Sequence, residues 1–251
     1  MRLDGLPLEW VPPAGVGALM SVRAGGSSCG PYASLNLGER VGDDPAHVQM
    51  NRARFGRRIG VSPCWLHQVH GTRVVDAMQC LEGPPPEADA SWADQPGVAC
   101  TVQVADCLPV LLAARNGRAV AAAHAGWRGL AGGVVEQTLR AVCLAADCEA
   151  VDVLAWMGPC IGPHQFEVGI DVLEAFGLES REHFVQREHA DGRARWLADL
   201  PGLARDRLQR AGIESISGGG WCTVEDGSRF FSFRRDRVTG RMAAAIWLEG
   251  R

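Results

Sequence analysis

"ADCLPVLLAARNGRAVAAAHAGWRG", residues 105–129, joins two apolar runs through Asn116-Gly117. An Asn-Gly pair between such runs predicts a two-residue type I′ β-hairpin. With the turn centred there, Arg115 faces Arg118 and paired residue numbers sum to 233, so His124 faces Pro109 and Cys107 faces Gly126. Side chains alternate along a strand, which puts Cys107 and His124 on one face as diagonal neighbours, Cα atoms about 7–8 Å apart. That separation suits two ligands on one metal, with bonds to sulfur and nitrogen of about 2.3 and 2.0 Å. It equally suits a thiol activated by an imidazole. A cysteine is commonly a small buried hydrophobe and a histidine a satisfied core residue. Here both end strands beside turn-like sequence, where sites are usually built. Asp106 adjoins the thiol and Arg128 follows the imidazole.

A catalytic zinc takes three protein ligands and keeps one open position. The segment "WLHQVHGTRV", residues 65–74, offers two candidates for the third. In extended backbone His67 and His70 point to opposite faces, so one of them can reach the site. His70 precedes Gly71, where the chain turns; His67 lies in the apolar run and is expected to pack or to reach solvent.

Outward from the hairpin, Asp44-Pro45 reads as an N-cap and first turn of a helix closing at Gly60. "GLAGGVVEQTLRAVCLAA", residues 129–146, reads as an amphipathic helix with a glycine-rich start, and Asp199 with Pro201 opens another that Gly212 closes. Strand-like runs start at Val16, Val98, Leu108, Arg118, Val151 and Arg241. Interspersed strands and helices, one pair forming a hairpin, predict an α+β class without a purely parallel sheet. "GPPPEADASWADQPG", residues 83–97, reads as a loop making a surface excursion.

The 251 residues suffice for a buried core, and no repeat or domain boundary is visible, so 1–251 reads as one domain. A net charge of −4 argues against nucleic acid as the main partner. The first ten residues lack a secretory pattern, and no apolar run is long enough for a membrane span. Nine scattered cysteines without a CxxC pair suggest free thiols in a cytoplasmic setting.

Six blocks carry a resemblance: "QVHG" at 68–71, "VADCLPV" at 104–110, "HAGWRG" at 124–129, "PYASLNLGERVGDDPAHVQMNR" at 31–52, "MGPCIGPHQFEVG" at 157–169 and "FFSFRRDRVTGRMAAAIWL" at 230–248. In order and over nearly the whole chain, they resemble the YfiH-type family, labelled laccase-domain or polyphenol oxidoreductase proteins. The resemblance implies a layered α/β/β/α sandwich with mixed sheets, similar to a cysteine-hydrolase toxin fold. It implies Zn²⁺ on His70, Cys107 and His124. It also implies phosphorolysis of adenosine, inosine and methylthioadenosine, and deamination of adenosine.

For phosphate, arginine is the suited side chain because its planar fork binds oxyanions bidentately. Arg128 and Arg52 are candidates, and Arg23 reads as a surface salt bridge. Ser34 and Gln68 stand in matching motifs as candidate nucleoside contacts, and Asp106 reads either as a proton carrier or as an orienter of a ligand. Base deaminases carry H-x-E…P-C-x-x-C, which is absent. Rival readings are a metal-free hydrolase with Cys107 as nucleophile and His124 as base, a peptidoglycan-precursor editing enzyme, and a zinc-stabilised interaction protein. A multicopper oxidase needs paired HxH motifs, and the seven histidines form none. Oligomeric state is open.

Overall fold

The computed structural model describes residues 5–8, 10–188 and 193–250. Its strands begin with β1 (Gly5–Leu6), β2 (Val16–Ser21), β3 (Ser62–Cys64), β4 (Val74–Asp76), β5 (Ala90–Ala93), β6 (Val98–Val104) and β7 (Leu108–Ala114). They continue with β8 (Val120–Ala125), β9 (Val153–Met157), β10 (Glu167–Val168), β11 (Phe184–Glu188), β12 (Ala194–Ala198), β13 (Ser215–Gly218) and β14 (Met242–Leu248). The α-helices are α1 (Pro45–Ile59), α2 (Trp127–Gly132), α3 (Val134–Ala146), α4 (Ile170–Phe176), α5 (Leu200–Arg210) and α6 (Phe233–Asp236). One sheet runs β1-β2-β14-β6-β3, a second β13-β9-β7-β8-β5-β4, and a small third β10-β12-β11. The two large sheets are mixed: β3 with β6, β4 with β5 and β13 with β9 pair parallel among antiparallel neighbours.

Strand alternation builds the layers. Met242, Ala244 and Ile246 of β14 point between the large sheets, where they join Leu111, Ala113, Val120 and Ala122 of the hairpin. Their neighbours Ala243 and Ala245 face outward onto Phe55 and Ile59 of α1. The other side of the hairpin, Val110, Leu112, Ala121 and Ala123, is covered by Val135, Leu139 and Val142 of α3. The order is therefore helix, sheet, sheet, helix, as expected for the layered α+β class. Each fully buried Leu, Val or Phe in these layers contributes about 1.5–3 kcal/mol.

The hairpin keeps the expected register, with Pro109 opposite His124 and Ala113 opposite Val120. Its turn is not type I′. That turn needs positive φ at both central residues, and here Gly117 has it (68°) while Asn116 does not. Residues 115–118 instead form a longer loop, closed by Gly117 N–H to Ala114 O at 2.9 Å and Ala114 N–H to Ala119 O at 3.0 Å. Arg115 and Arg118 therefore do not pair. The reason is tertiary: the Asn116 amide donates to Ala146 O, a free carbonyl at the end of α3, at 2.9 Å.

Helix α1 forms as expected, with Asp44 accepting from Ala46 N–H and Gly60 in the left-handed region at φ 78°. The expected helix over 129–146 is two, broken at Gly133 (φ 96°), whose backbone turns between α2 and α3. The segment 83–97 is more than a loop. Its prolines lie at or near the surface, but Ala88–Ser91 is fully buried and β5 sits inside the second large sheet. Ala, Ser and Trp alternating with acidic residues hide this strand from a compositional reading. Cys64 and Cys80 form a disulfide, Cα atoms 5.0 Å apart, so not every thiol is free. Strand β3 and the short helix at Ala77–Cys80 meet at the sheet edge, a proximity that spacing does not reveal. No helix among the described residues is long and apolar enough to cross a membrane. The N-terminal reading falls partly on residues 1–4 and 9, which lie outside the described residues.

Candidate functional site

Parity along β7 and β8 turns Cys107 and His124 toward the layer between the large sheets, at its edge. His124 is the penultimate residue of β8, and Cys107 immediately precedes β7. β5 lies beside β8, with Ala90 opposite Ala123, and His124 N–H donates to Asp89 O at 2.7 Å. This places the Asp89 carboxylate against the imidazole, where it accepts from His124 Nδ1 at 2.8 Å. A carboxylate can only accept, so the contact fixes the proton on Nδ1 and leaves Nε2 free as a ligand atom.

The same carboxylate shapes the loop that carries His70. It accepts from the amides of Val69, His70 and Gly71 at 3.1, 2.9 and 2.7 Å. Three converging amides hold His70 in the left-handed region, at φ 62°, which a non-glycine residue adopts at a cost. Its ring then meets that of His124 edge-on, centroids 4.8 Å apart, with Nε2 at 3.7 Å from Cys107 Sγ. One ligand atom from each of His70, Cys107 and His124 lies within 4.8 Å of the others. Gly126 makes room for the trio, since a Cβ there would stand 2.9 Å from the His70 ring and 3.0 Å from Cys107 Sγ.

Burial opposes charge at all three ionisable partners, and local contacts overcome it. Burial pushes the Cys107 thiol up, but the charge of His124 and hydrogen bonds from both histidines bring it down to about 6. Burial pulls His124 down, while the Cys107 charge and Asp89 lift it to about 9. For Asp89, burial is outweighed by the His124 contact and the backbone amides, which hold it below the usual carboxylate range. A thiolate poised between two imidazoles, one anchored by a carboxylate, fits a three-coordinate protein site for a metal ion.

Above this trio opens a cavity of about 540 Å³ whose walls include Arg52, Trp65, Gln68, Trp127, Phe166 and Phe233. Of the residues singled out from sequence, Arg52, Gln68 and Asp106 line it together with the three donors. The Gln68 amide is pinned by two bonds to the backbone of Gln103, at 2.9 and 2.7 Å. Asp106 accepts from Thr223 Oγ1 and from Arg234 N–H, both at 2.6 Å, so its two oxygens fasten the 223–234 segment to the start of β7. Among the described residues the carboxylate that contacts a donor ring is that of Asp89. His67 also lines the cavity, so it is not simply a packing or solvent-facing residue.

Other candidates lie elsewhere. Arg128 is exposed and stacks on Trp127 at 4.2 Å, outside the lining. Ser34 Oγ accepts from Gly26 N–H at 3.0 Å within its own loop. Arg23 forms no salt bridge among the described residues and instead clamps the carbonyls of Ala33 and Gly227. Sequence reasoning did not single out Asp89, which contacts a donor ring, or Arg241, which lines the cavity. Arg241 is one of four arginines in the block at 230–248 and Asp89 one of three acids in 83–97, so neither stands out locally.

A family model described as multi-copper polyphenol oxidoreductase laccase matches residues 17–249. The chain belongs to this family. The chain is 47% identical over 246 residues to purine nucleoside phosphorylase PA4543 of Pseudomonas aeruginosa, covering 96% of this chain and 97% of that protein. It is 48% identical, at the same coverage, to purine nucleoside phosphorylase YfiH of Escherichia coli. Among solved structures, Neisseria meningitidis protein NMB0706 superposes with a TM-score of 0.92 at 46% identity, covering all of both chains. YlmD from Geobacillus stearothermophilus gives 0.83 at 30% identity over 99% of each.

Proposed function

We propose that this family member is a cytoplasmic, zinc-dependent purine nucleoside phosphorylase acting on adenosine, inosine and methylthioadenosine, with adenosine deaminase activity. The observation that carries the reading is a thiolate–imidazole–imidazole trio at one wall of a nucleoside-sized cavity, in a chain nearly half identical to full-length proteins named purine nucleoside phosphorylase. His70, Cys107 and His124 would hold Zn²⁺, which would supply Lewis acidity at that wall.

The chain's own residues do the rest. Trp65, Trp127, Phe166 and Phe233 give the cavity aromatic surface suited to a purine. Arg52, stacked on Trp65 at 4.2 Å and paired with Glu39, stiffens one wall near the mouth. Gln68 holds the floor strand at Gln103, and Asp89 keeps both imidazoles aimed. In phosphorolysis a phosphate oxygen bonds to ribose C1′ as the C1′–N9 bond breaks. The purine leaves with the electron pair and takes up a proton. In deamination water adds at C6 of adenosine and ammonia departs, leaving inosine.

The test is metal analysis of the purified protein followed by incubation with adenosine, with and without phosphate. Adenine formed only with phosphate supports phosphorolysis, and inosine under both conditions supports deamination. A zinc-loaded sample that makes neither product refutes the nucleoside reading. One geometric feature favours a second reading: Asp89, His124 and Cys107 are ordered like an acid–base–thiol relay, as a metal-free hydrolase needs. His70 argues for the metal, because a relay has no use for a second imidazole held against the thiol by three backbone amides. Stoichiometric zinc would exclude the relay.

A further inference from the structure

Four arginines, Arg40, Arg52, Arg234 and Arg241, line the cavity. Arg52 has its guanidinium committed to the protein: it donates Nε–H to Leu37 O at 2.9 Å and pairs with Glu39. Arg234 spends Nη1 on the carbonyls of Gln165 and Glu167, and its backbone N–H is held by Asp106. Arg40 is exposed at the mouth.

Its place beside the donor loop singles out Arg241. It precedes β14, and since Met242 pairs with Val104, the register sets Arg241 opposite Ala105, two residues from Cys107. Its backbone is clamped to one loop: its N–H donates to Asn36 Oδ1 at 2.8 Å and its carbonyl accepts from Leu37 N–H at 3.0 Å. That loop is itself held by Asn51 of α1, whose amide donates to Asn36 O at 2.9 Å. Gly38 packs on the aliphatic stem so closely that a Cβ would lie 2.7 Å from Arg241 Cγ.

The guanidinium uses one nitrogen on the protein, Nη1, which donates to the carbonyls of Thr239 and Gly240 at 3.2 and 3.0 Å. Among the described residues no carboxylate pairs with it, and Nε and Nη2 have no acceptor. Burial disfavours its charge, and the nearby Cys107 and Asp106 favour it. A half-buried cation with unused fork donors, on a residue that lines a cavity, is matched by an oxyanion, which takes parallel N–H bonds from guanidinium.

We propose that Arg241 docks the phosphate co-substrate, presenting it beside the His70–Cys107–His124 trio. The proposal rests on the phosphorylase reading for the identity of the anion. It assigns the role to a residue distinct from Arg52 and Arg128, the arginines that stand out in the sequence. Water, the nucleophile of deamination, needs no such fork, so Arg241 separates the two reactions.

The experiment compares wild type with Arg241→Gln and Arg241→Lys, measuring initial rates of adenine release against inorganic phosphate and of inosine formation without it. Losing a charge-assisted bidentate contact raises KM for phosphate about ten- to hundred-fold in Arg241→Gln. KM for adenosine and the deamination rate stay within about two-fold, because the proposed contact is to phosphate and water replaces phosphate in deamination. Arg241→Lys, which keeps the charge but not the fork, falls between. An unchanged phosphate KM, or an equal loss of deamination, overturns the proposal. Should Arg241→Gln fail to fold, Arg241→Lys decides by the same criteria. If wild type releases no adenine, the phosphorylase reading falls by itself, and calorimetric titration with inorganic phosphate decides Arg241. Binding by wild type that is lost in the variant sustains the anion site, and equal binding or none refutes it.

Discussion

Asp89 and His124 are both buried, and the carboxylate of the first accepts the Nδ1 proton of the second at 2.8 Å while also accepting three amides around His70. One side chain thus sets the aim of two of the three donors, and its removal reports on both.

Asp89→Asn keeps the shape but replaces one acceptor oxygen with a donor that faces N–H groups. Metal affinity is expected to fall about 10–100-fold, the usual effect of losing a residue that orients a ligand. Competition against a chromogenic chelator measures it. Wild-type affinity in the variant would show that the carboxylate does not govern the site.

Gly126→Ala adds a methyl that must displace the His70 ring or Cys107 Sγ, which would stand 2.9 and 3.0 Å from the new carbon. Substoichiometric metal in a protein whose far-ultraviolet circular dichroism is unchanged is the expected result. Full metal occupancy would mean that the trio relaxes without loss.

Thiol chemistry should follow burial. Cys100 is pushed up to about 12 by burial and Cys160 well above the ordinary value, so both remain protonated at about pH 8, whereas Cys29 is exposed. Mass spectrometry after brief maleimide treatment of native protein should find Cys29 labelled and the other two untouched. The folded state holds the Cys100 proton more tightly than the unfolded chain does. Stability therefore declines as pH climbs past 9 toward 12. Melting temperatures that rise across that interval in Cys100-containing protein relative to Cys100→Ala would contradict the sign.

The Cys64–Cys80 bond closes a loop of 16 residues' separation and is expected to contribute about 3 kcal/mol. Non-reducing peptide mapping should recover the two peptides joined, and Cys80→Ser should melt several degrees lower under oxidising conditions. Identical melting with and without reductant would remove the bond from the stability of the fold.

The hairpin is legible in the sequence because its information is local. Alternating apolar residues on either side of Asn116-Gly117 fix the register, and the register alone puts Cys107 and His124 on a common face. The boundaries of α1 are legible for the same reason: Asp44, Pro45 and Gly60 act within one helix. The turn type is not, because Asn116 is drawn to a carbonyl 30 residues away. Strand β5 escapes notice because a four-residue strand flanked by acids and prolines has too little periodicity to outweigh its loop-like neighbours.

By itself the sequence determined the α+β class and the hairpin register, since each depends on alternation within a few residues. Tertiary structure alone decided that Asp89 braces the donors and that Arg241 lines the cavity. Asp89 reaches His124 through the pairing of β5 with β8, and Arg241 reaches Cys107 through the pairing of β14 with β6. Which distant strands pair depends on the packing of whole sheets, and no local spacing along the chain encodes that choice.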